Sequence, residues 1–250
     1  MDKIEAIQKA AEAGDRLHLW RSIVSLTEAK TVCEVGVFRG EFAGFILGAC
    51  DQVERYYMID PWRNLTDWNK PANTSDARFS EIFDEAMMRT EAFASKRVVL
   101  RDTTSVASKQ IDEHSLDCVY IDGDHTLRGI TIDLIHMLPK VRHGGIIGGD
   151  DFTKNIWQHG VEHSPTEVFP FAVYFAEAMG VPILTLPYRQ FCIVNQPEIG
   201  FQLIDLGGYS NLTPAQIYLP PNGRNNALKK IARILPHNVT SPIRRALKRP

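Results

Sequence analysis

Short apolar runs alternate with longer amphipathic segments through the middle of the chain. Before residue 30, apolar positions recur at helical spacing and predict one or two amphipathic helices over 3–29. Five strands are predicted at 31–37, 55–60, 97–100, 116–122 and 145–149, with helices at 41–50, 77–94 and 126–138 between them. Strands that alternate with helices in this way indicate right-handed βαβ units and a parallel sheet.

The alternation changes after Asp151. A polar loop leads to a predicted helix over 168–179 and then to strands over 181–187 and 190–195, which are close enough to form a hairpin. The sequence therefore predicts an α/β fold with a doubly wound, mostly parallel sheet of seven strands. We expect three parts, which are an N-terminal helical segment, 1–30, a central domain, 31–196, and a C-terminal arm with a basic tail, 197–250.

Composition is that of an ordinary globular protein, with 44% hydrophobic and 23% charged residues. The chain has no apolar run near the roughly 20 residues that a membrane span needs, and its N-terminus lacks a signal-peptide pattern. Four cysteines occur in or at the end of apolar runs without a C-x-x-C pair, namely Cys33, Cys50, Cys118 and Cys192. We expect reduced thiols and a cytoplasmic location.

Charge is distributed unevenly. The segment 224–250 contains eight Lys or Arg and no Asp or Glu, which leaves 20 basic and 30 acidic residues, a formal charge of −10, in the rest of the chain. Residues 227–235 combine an apolar face with cations, so weak contact with an anionic membrane surface, a dimer arm and a frayed end all remain open. The acidic body argues against nucleic acid as a partner.

A glycine turn follows the first predicted strand. Gly36 and Gly40 allow close approach to a ligand and present backbone amides at a helix N-terminus, while Glu34 suits a cationic group. Together they fit a ligand with both an ammonium and a carboxylate group. Asp60 ends the next strand, about 20 residues later, where carboxylates commonly bind ribose hydroxyls. The alternative is a tight strand–helix turn with a capping aspartate.

Three carboxylates follow the fourth and fifth predicted strands. Asp122, Asp150 and Asp151 should converge at one edge of the sheet, where they would repel one another unless a cation lies among them. Oxygen ligands favour Mg²⁺, Mn²⁺ or Ca²⁺ over zinc. The alternative is that these residues cap helices or face solvent.

Together these motifs resemble those of class I S-adenosylmethionine-dependent methyltransferases. Within that class they are similar to the metal-dependent O-methyltransferases of sugar hydroxyls, which are related to the catechol enzymes. The motifs are Glu34-x-Gly36-x-x-x-Gly40, Asp60, Ile121-Asp122-Gly123-Asp124-His125 and Gly144-Gly145-Ile146-Ile147-Gly148-Gly149-Asp150-Asp151-Phe152. The resemblance covers 31–196 and identifies this range as a cofactor-binding methyltransferase domain.

The resemblance implies roles for individual residues. Glu34, Gly36 and Gly40 would bind the methionine end of the cofactor, and Asp60 would bind its ribose. Asp102 and Thr103 would lie near the adenine, and Asp122 would also belong to the cofactor site. Asp122, Asp150 and Asp151 would hold Mg²⁺ or Mn²⁺. Catechol enzymes have Asn where this chain has Asp151 and Lys where it has His125, which favours the sugar branch. Asp124 or His125 is then the base.

The predicted function is therefore transfer of a methyl group from S-adenosylmethionine to a hydroxyl of a sugar, glycoside or other small molecule, with the help of a divalent metal. We also expect a homo-oligomer, such as a dimer. Two alternatives remain. One is a methyltransferase for nitrogen or for a macromolecular or lipid-linked acceptor. The other is a non-catalytic or NAD-dependent nucleotide-binding protein, against which Glu34 argues.

Overall fold

The computed structural model describes residues 2–221, so the basic tail and the amphipathic segment 227–235 lie outside the described residues. Its helices are α1 (Lys3–Ala10), α2 (Arg16–Leu26), α3 (Glu41–Ala49), α4 (Asp76–Arg89), α5 (Thr104–Ala107), α6 (Leu127–Met137), α7 (Val168–Met179) and α8 (Pro214–Tyr218). Its strands are β1 (Thr31–Val35), β2 (Arg55–Ile59), β3 (Arg97–Leu100), β4 (Leu116–Ile121), β5 (Val141–Gly149), β6 (Ile183–Leu186), β7 (Gln190–Val194) and β8 (Leu203–Asp205).

The strands form one mixed sheet in the order β3-β2-β1-β4-β5-β7-β6-β8. The first five are parallel, and β7 is antiparallel to both β5 and β6, which confirms the doubly wound sheet and the predicted hairpin. The predicted number of seven strands is one too low, because β8 pairs in parallel with β6. A strand of three residues in a segment rich in Gly and Pro is too short to give a detectable alternation.

The strand order reverses between β1 and β4. From β1 the chain moves outward to β2 and β3, and it then returns to the other side of β1 to form β4 and β5. A crevice therefore opens at the carboxyl ends of β1 and β4, where ligands bind in sheets of this kind. Both faces of the sheet are covered by apolar cores, one against α1–α4 and the other against α5–α7.

The second N-terminal helix is fixed on the sheet by Trp20. This side chain is fully buried, its Nε1 donates to Gln190 Oε1 at 2.8 Å, and its ring packs edge-on against Tyr120 with centroids 4.8 Å apart. Asp15 caps the start of the helix by accepting from the His18 N–H at 2.9 Å. Arg16 lies one turn before Trp20, and its side chain therefore reaches the same end of the sheet.

Candidate cofactor and acceptor site

The glycine turn is held tightly between two strand ends. The Gly36 N–H donates to the Ile59 carbonyl at 2.8 Å, and Gly36 has a φ of 86°. A Cβ at this position would lie 2.1 Å from the Asp122 carbonyl oxygen, so only glycine fits. Gly40 caps the start of α3 with a φ of 72°. Gly36 therefore brings bare backbone to the crevice.

Asp60 holds this turn in place. Its Oδ2 accepts from the Phe38 N–H at 2.9 Å and its Oδ1 from the Trp62 N–H at 2.7 Å. Phe38 and Trp62 both have positive φ values, 50° and 40°, which the carboxylate helps to stabilise. Burial raises the pKa of Asp60, while the two backbone hydrogen bonds lower it. The capping role is therefore present, and the same residue also lines the cavity.

Glu34 lies at the bottom of the crevice. It is 2% exposed, and its Oε2 accepts from the Tyr56 hydroxyl at 2.8 Å. Burial raises the pKa of Glu34 well above its ordinary value, and the hydrogen bond from Tyr56 opposes this shift. A cationic ligand group beside this carboxyl would favour its charged form.

One cavity of about 660 Å³ brings most of the predicted site residues together. The predicted residues on its wall are Glu34, Gly36, Asp60, Asp102, Thr103, Asp122, Asp124, His125 and Asp151. Gly40 and Asp150 lie behind the wall, with Gly40 at the start of α3 and Asp150 buried at the end of β5. The volume is in the range of small-molecule sites in proteins.

The three predicted metal ligands meet at one edge of the sheet, but each carboxylate already has a protein partner. Arg16 Nη1 forms an ion pair with Asp150 and lies 3.3 Å from Asp122 Oδ2. Asp151 has a partner of its own in His125, whose Nδ1 lies 2.7 Å from Asp151 Oδ2. The positive charges that the sequence led us to expect from a metal are therefore supplied by two side chains.

Amide donors occupy the other carboxylate oxygens. Asp150 Oδ1 accepts from Gln190 Nε2 at 2.6 Å and from the Asp151 N–H at 2.7 Å, and Asp151 Oδ1 accepts from Gln158 Nε2 at 2.7 Å. Within residues 2–221, His, Cys, Asp and Glu form no group of three or more that could hold a metal ion. The arrangement of these side chains does not fit a divalent metal, and the predicted metal centre stays a prediction. The reason for the poor fit is Arg16, whose position depends on how α2 packs.

His125 lies between two carboxylates. Besides its contact with Asp151, its Nε2 is 3.4 Å from Asp122 Oδ1. Burial lowers its pKa, but these two carboxylates outweigh burial and raise the pKa to about 10. Both ring nitrogens therefore face acids, and the imidazole is held in its protonated form at neutral pH. This geometry disfavours His125 as the base.

Asp124 is the other candidate base. Its Oδ1 accepts from the Thr126 N–H and its Oδ2 from the Thr126 hydroxyl, both at 3.0 Å, just before α6 begins. These bonds fix the carboxyl on the cavity wall and leave lone pairs on both oxygens. Asp124 is therefore positioned to accept a proton from a bound ligand.

Several charged residues on the cavity wall were not predicted from the sequence, among them Arg16, Lys70 and Asp133. Lys70 is 6% exposed and donates to the Thr166 hydroxyl at 3.0 Å. Asp133 lies on the apolar face of α6, between Ile130 and Leu134, and a carboxylate on such a face was a signal that could have been noticed. Arg16 gave no such signal, because its neighbours in space are distant in sequence.

Comparison with known proteins agrees with this geometry. Residues 33–152 match a family model described as a methyltransferase domain. The fold is similar to that of a candidate caffeoyl-CoA O-methyltransferase from Staphylococcus aureus. The two structures match with a TM-score of 0.56 and 14% sequence identity, over 78% of this chain and 93% of the other. The O-methyltransferase TomG from Streptomyces achromogenes, solved with S-adenosylmethionine, matches with a TM-score of 0.52 and 16% sequence identity, over 77% of this chain and 89% of its own.

An O-methyltransferase from Bacillus cereus, solved with S-adenosylhomocysteine, gives a TM-score of 0.50 at 13% identity over 77% of this chain and 90% of its own. No curated protein sequence matches the chain. None of the helices within residues 2–221 is long and apolar enough to cross a membrane.

The chain has the fold of the solved O-methyltransferases, and residues 33–152 are similar to a methyltransferase domain, which agrees with the predicted enzyme class.

Proposed function

We propose that this enzyme transfers the methyl group of S-adenosylmethionine to a hydroxyl oxygen of a small molecule, with a sugar or glycoside as the acceptor class. The observation that carries this proposal is the single cavity that joins the glycine turn and Asp60 to the wall formed by Asp124 and Lys70. The solved O-methyltransferases of similar fold support oxygen as the methylated atom. A sugar acceptor is supported by Trp68 on the same wall, since aromatic faces pack against sugar rings.

The residues at the cofactor end have complementary chemistry. Glu34 would accept hydrogen bonds from the ammonium group, the amides of the glycine turn would bind the carboxylate, and Asp60 would bind the ribose. Asp102 and Thr103 lie at the end of β3, where the adenine would be placed. When bound, the cofactor supplies an already activated methyl group, so the protein has to align the acceptor and remove its proton.

We assign to Asp124 the role of the base that accepts the proton of the acceptor hydroxyl, because both ring nitrogens of His125 face carboxylates. Asp124→Asn should lower turnover by about 10²–10⁴-fold with a much smaller change in KM, since a base acts only as the proton leaves. The measurement is steady-state kinetics with a methylated acceptor in hand. His125→Gln is the comparison variant, and a loss that is larger for His125→Gln than for Asp124→Asn would transfer the role to His125.

Cofactor binding is tested at Asp60. Asp60→Ala should weaken S-adenosylhomocysteine binding in calorimetry by about 1.5–3 kcal/mol, the magnitude of hydrogen bonds to a charged group. Asp67→Ala, which removes an exposed carboxylate from the same loop, is the matched control and should bind as the wild type does.

Because Asp60 also holds the turn, an analogue without the ribose hydroxyls separates its two roles. If Asp60 binds the ribose, losing these hydroxyls should cost affinity in the wild type and much less in Asp60→Ala. An equal cost in both proteins would restrict Asp60 to the turn.

The acceptor class is tested with a panel of sugars, glycosides, phenols and amines, in which mass spectrometry detects the added methyl group. Products methylated only on nitrogen, or only on a macromolecule, would replace the proposal with the alternative function. A cytoplasmic location and a homo-oligomer stay predictions.

A further inference from the structure

Arg16 is the first residue of α2, and this helix places its side chain at the acceptor end of the cavity. The side chain of Trp20, one turn later, is fully buried and bonded to Gln190, so α2 has a fixed position over the ends of β4 and β5. Arg16 lines the cavity with 35% of its side chain exposed. Its guanidinium is therefore a permanent part of the cavity wall.

A single guanidinium nitrogen of Arg16 makes its hydrogen bonds and ion pairs with this wall. Arg16 Nη1 forms an ion pair with Asp150, lies 3.3 Å from Asp122 Oδ2 and lies 3.4 Å from the Tyr120 hydroxyl. Within the described part of the chain, neither Nε nor Nη2 of Arg16 donates a hydrogen bond. Since a guanidinium carries five N–H donors, several remain for a bound molecule.

Permanent cations already face the carboxylates at this edge. Arg16 lies beside Asp122 and Asp150, and Arg189 Nη1 lies 4.0 Å from Asp151 Oδ1. A divalent ion placed among the same oxygens would lie beside the guanidinium, and like charges only a few Å apart repel strongly at a partly buried site. The guanidinium and a metal therefore exclude each other.

We infer that Arg16 is the resident cation of the acceptor site and occupies the place of a divalent metal, so that methyl transfer by this chain needs no metal. It presents its free N–H donors to the acceptor oxygen, orients that oxygen and stabilises the negative charge that develops as the proton leaves. The role toward the acceptor rests on the proposed function. The exclusion of metal depends only on the cluster of charges and can be tested without cofactor or acceptor.

The test is Mn²⁺ binding, measured from the electron paramagnetic resonance signal of free Mn²⁺, with and without S-adenosylhomocysteine. The wild type should bind no Mn²⁺ at this site. Arg16→Ala removes the competing charge and should bind Mn²⁺ at least about tenfold more tightly. Adding Asp150→Asn to Arg16→Ala should abolish this binding.

Two further variants control for charge and for folding. Arg16→Lys keeps a cation and should bind Mn²⁺ as poorly as the wild type, and Arg21→Ala removes an exposed arginine from the same helix and should also behave like the wild type. Arg16→Gln serves as a second neutral variant in case Arg16→Ala does not fold.

Mn²⁺ binding to the wild type that Asp150→Asn abolishes would overturn the inference. A folded Arg16→Ala or Arg16→Gln protein that binds no Mn²⁺ would overturn it too, because the carboxylates would then form no cation site. Failure of the proposed function looks different, since it would appear as absent S-adenosylhomocysteine binding in calorimetry.

Discussion

Gly36→Ala is expected to abolish cofactor binding and to destabilise the fold. The new Cβ would lie 2.1 Å from the Asp122 carbonyl oxygen and 2.6 Å from the Gly123 Cα, so the ends of β1 and β4 would have to separate. Steric overlap and a positive φ together should cost about 3–5 kcal/mol. Urea unfolding measures the free energy of unfolding, and calorimetry with S-adenosylhomocysteine measures binding.

Gly48→Ala is the matched control for this substitution. Gly48 lies within α3, where a Cβ would meet Phe93 Cζ at an ordinary 3.6 Å, and alanine should stabilise the helix by up to about 1 kcal/mol. Binding should be unchanged in Gly48→Ala. A Gly36→Ala protein with the stability and affinity of the wild type would show that the strand ends are not held as closely as the structure indicates.

Asp133→Asn is expected to make the protein more stable than the wild type near neutral pH. Asp133 is 4% exposed, its Oδ1 accepts from the Thr104 hydroxyl at 2.6 Å, and its Oδ2 is buried without a partner among residues 2–221. Burial raises its pKa to about 7, although the hydrogen bond from Thr104 opposes the shift. The folded protein therefore prefers this carboxyl in its protonated form.

The direction of the pH effect follows from the two pKa values. In the unfolded chain Asp133 loses its proton near pH 3.9, whereas in the folded chain it keeps the proton up to about pH 7. Its contribution to stability is complete below about pH 4 and is lost as the pH rises to about 7, by about 1.4 kcal/mol per pH unit and about 4 kcal/mol in total.

The asparagine side chain does not ionise in this pH range. The free energy of unfolding of Asp133→Asn relative to the wild type should therefore rise by about 4 kcal/mol between pH 4 and 7 and then stay constant. Urea unfolding at several pH values measures the difference. Asp84→Asn, which changes an exposed carboxyl on α4, is the control and should follow the wild type. Parallel curves for Asp133→Asn and the wild type would show that Asp133 is charged in the folded protein.

Local pattern was sufficient to predict individual strands and helices in the central part of the chain. Strand β3 and helix α7 begin and end where the apolar pattern placed them, because a continuous apolar run and a 3.6-residue period each suit one kind of element. Gly36 and Asp60 were identified for a related reason. A strand that ends in a glycine turn, followed by an acid at the next strand end, is a local arrangement whose spacing along the chain already implies proximity in a parallel sheet.

Which charges meet at the acceptor end was decided only by the tertiary structure. The sequence by itself determined that Asp122, Asp150 and Asp151 lie at neighbouring strand ends, but it could not show that Arg16 reaches two of them from 106 and 134 residues away. That contact depends on the packing of Trp20 against Tyr120 and Gln190, which no local pattern encodes. The tertiary surroundings also fixed the protonation of two buried groups. Burial raises the pKa of Asp133, and two nearby carboxylates raise the pKa of His125 against the effect of burial.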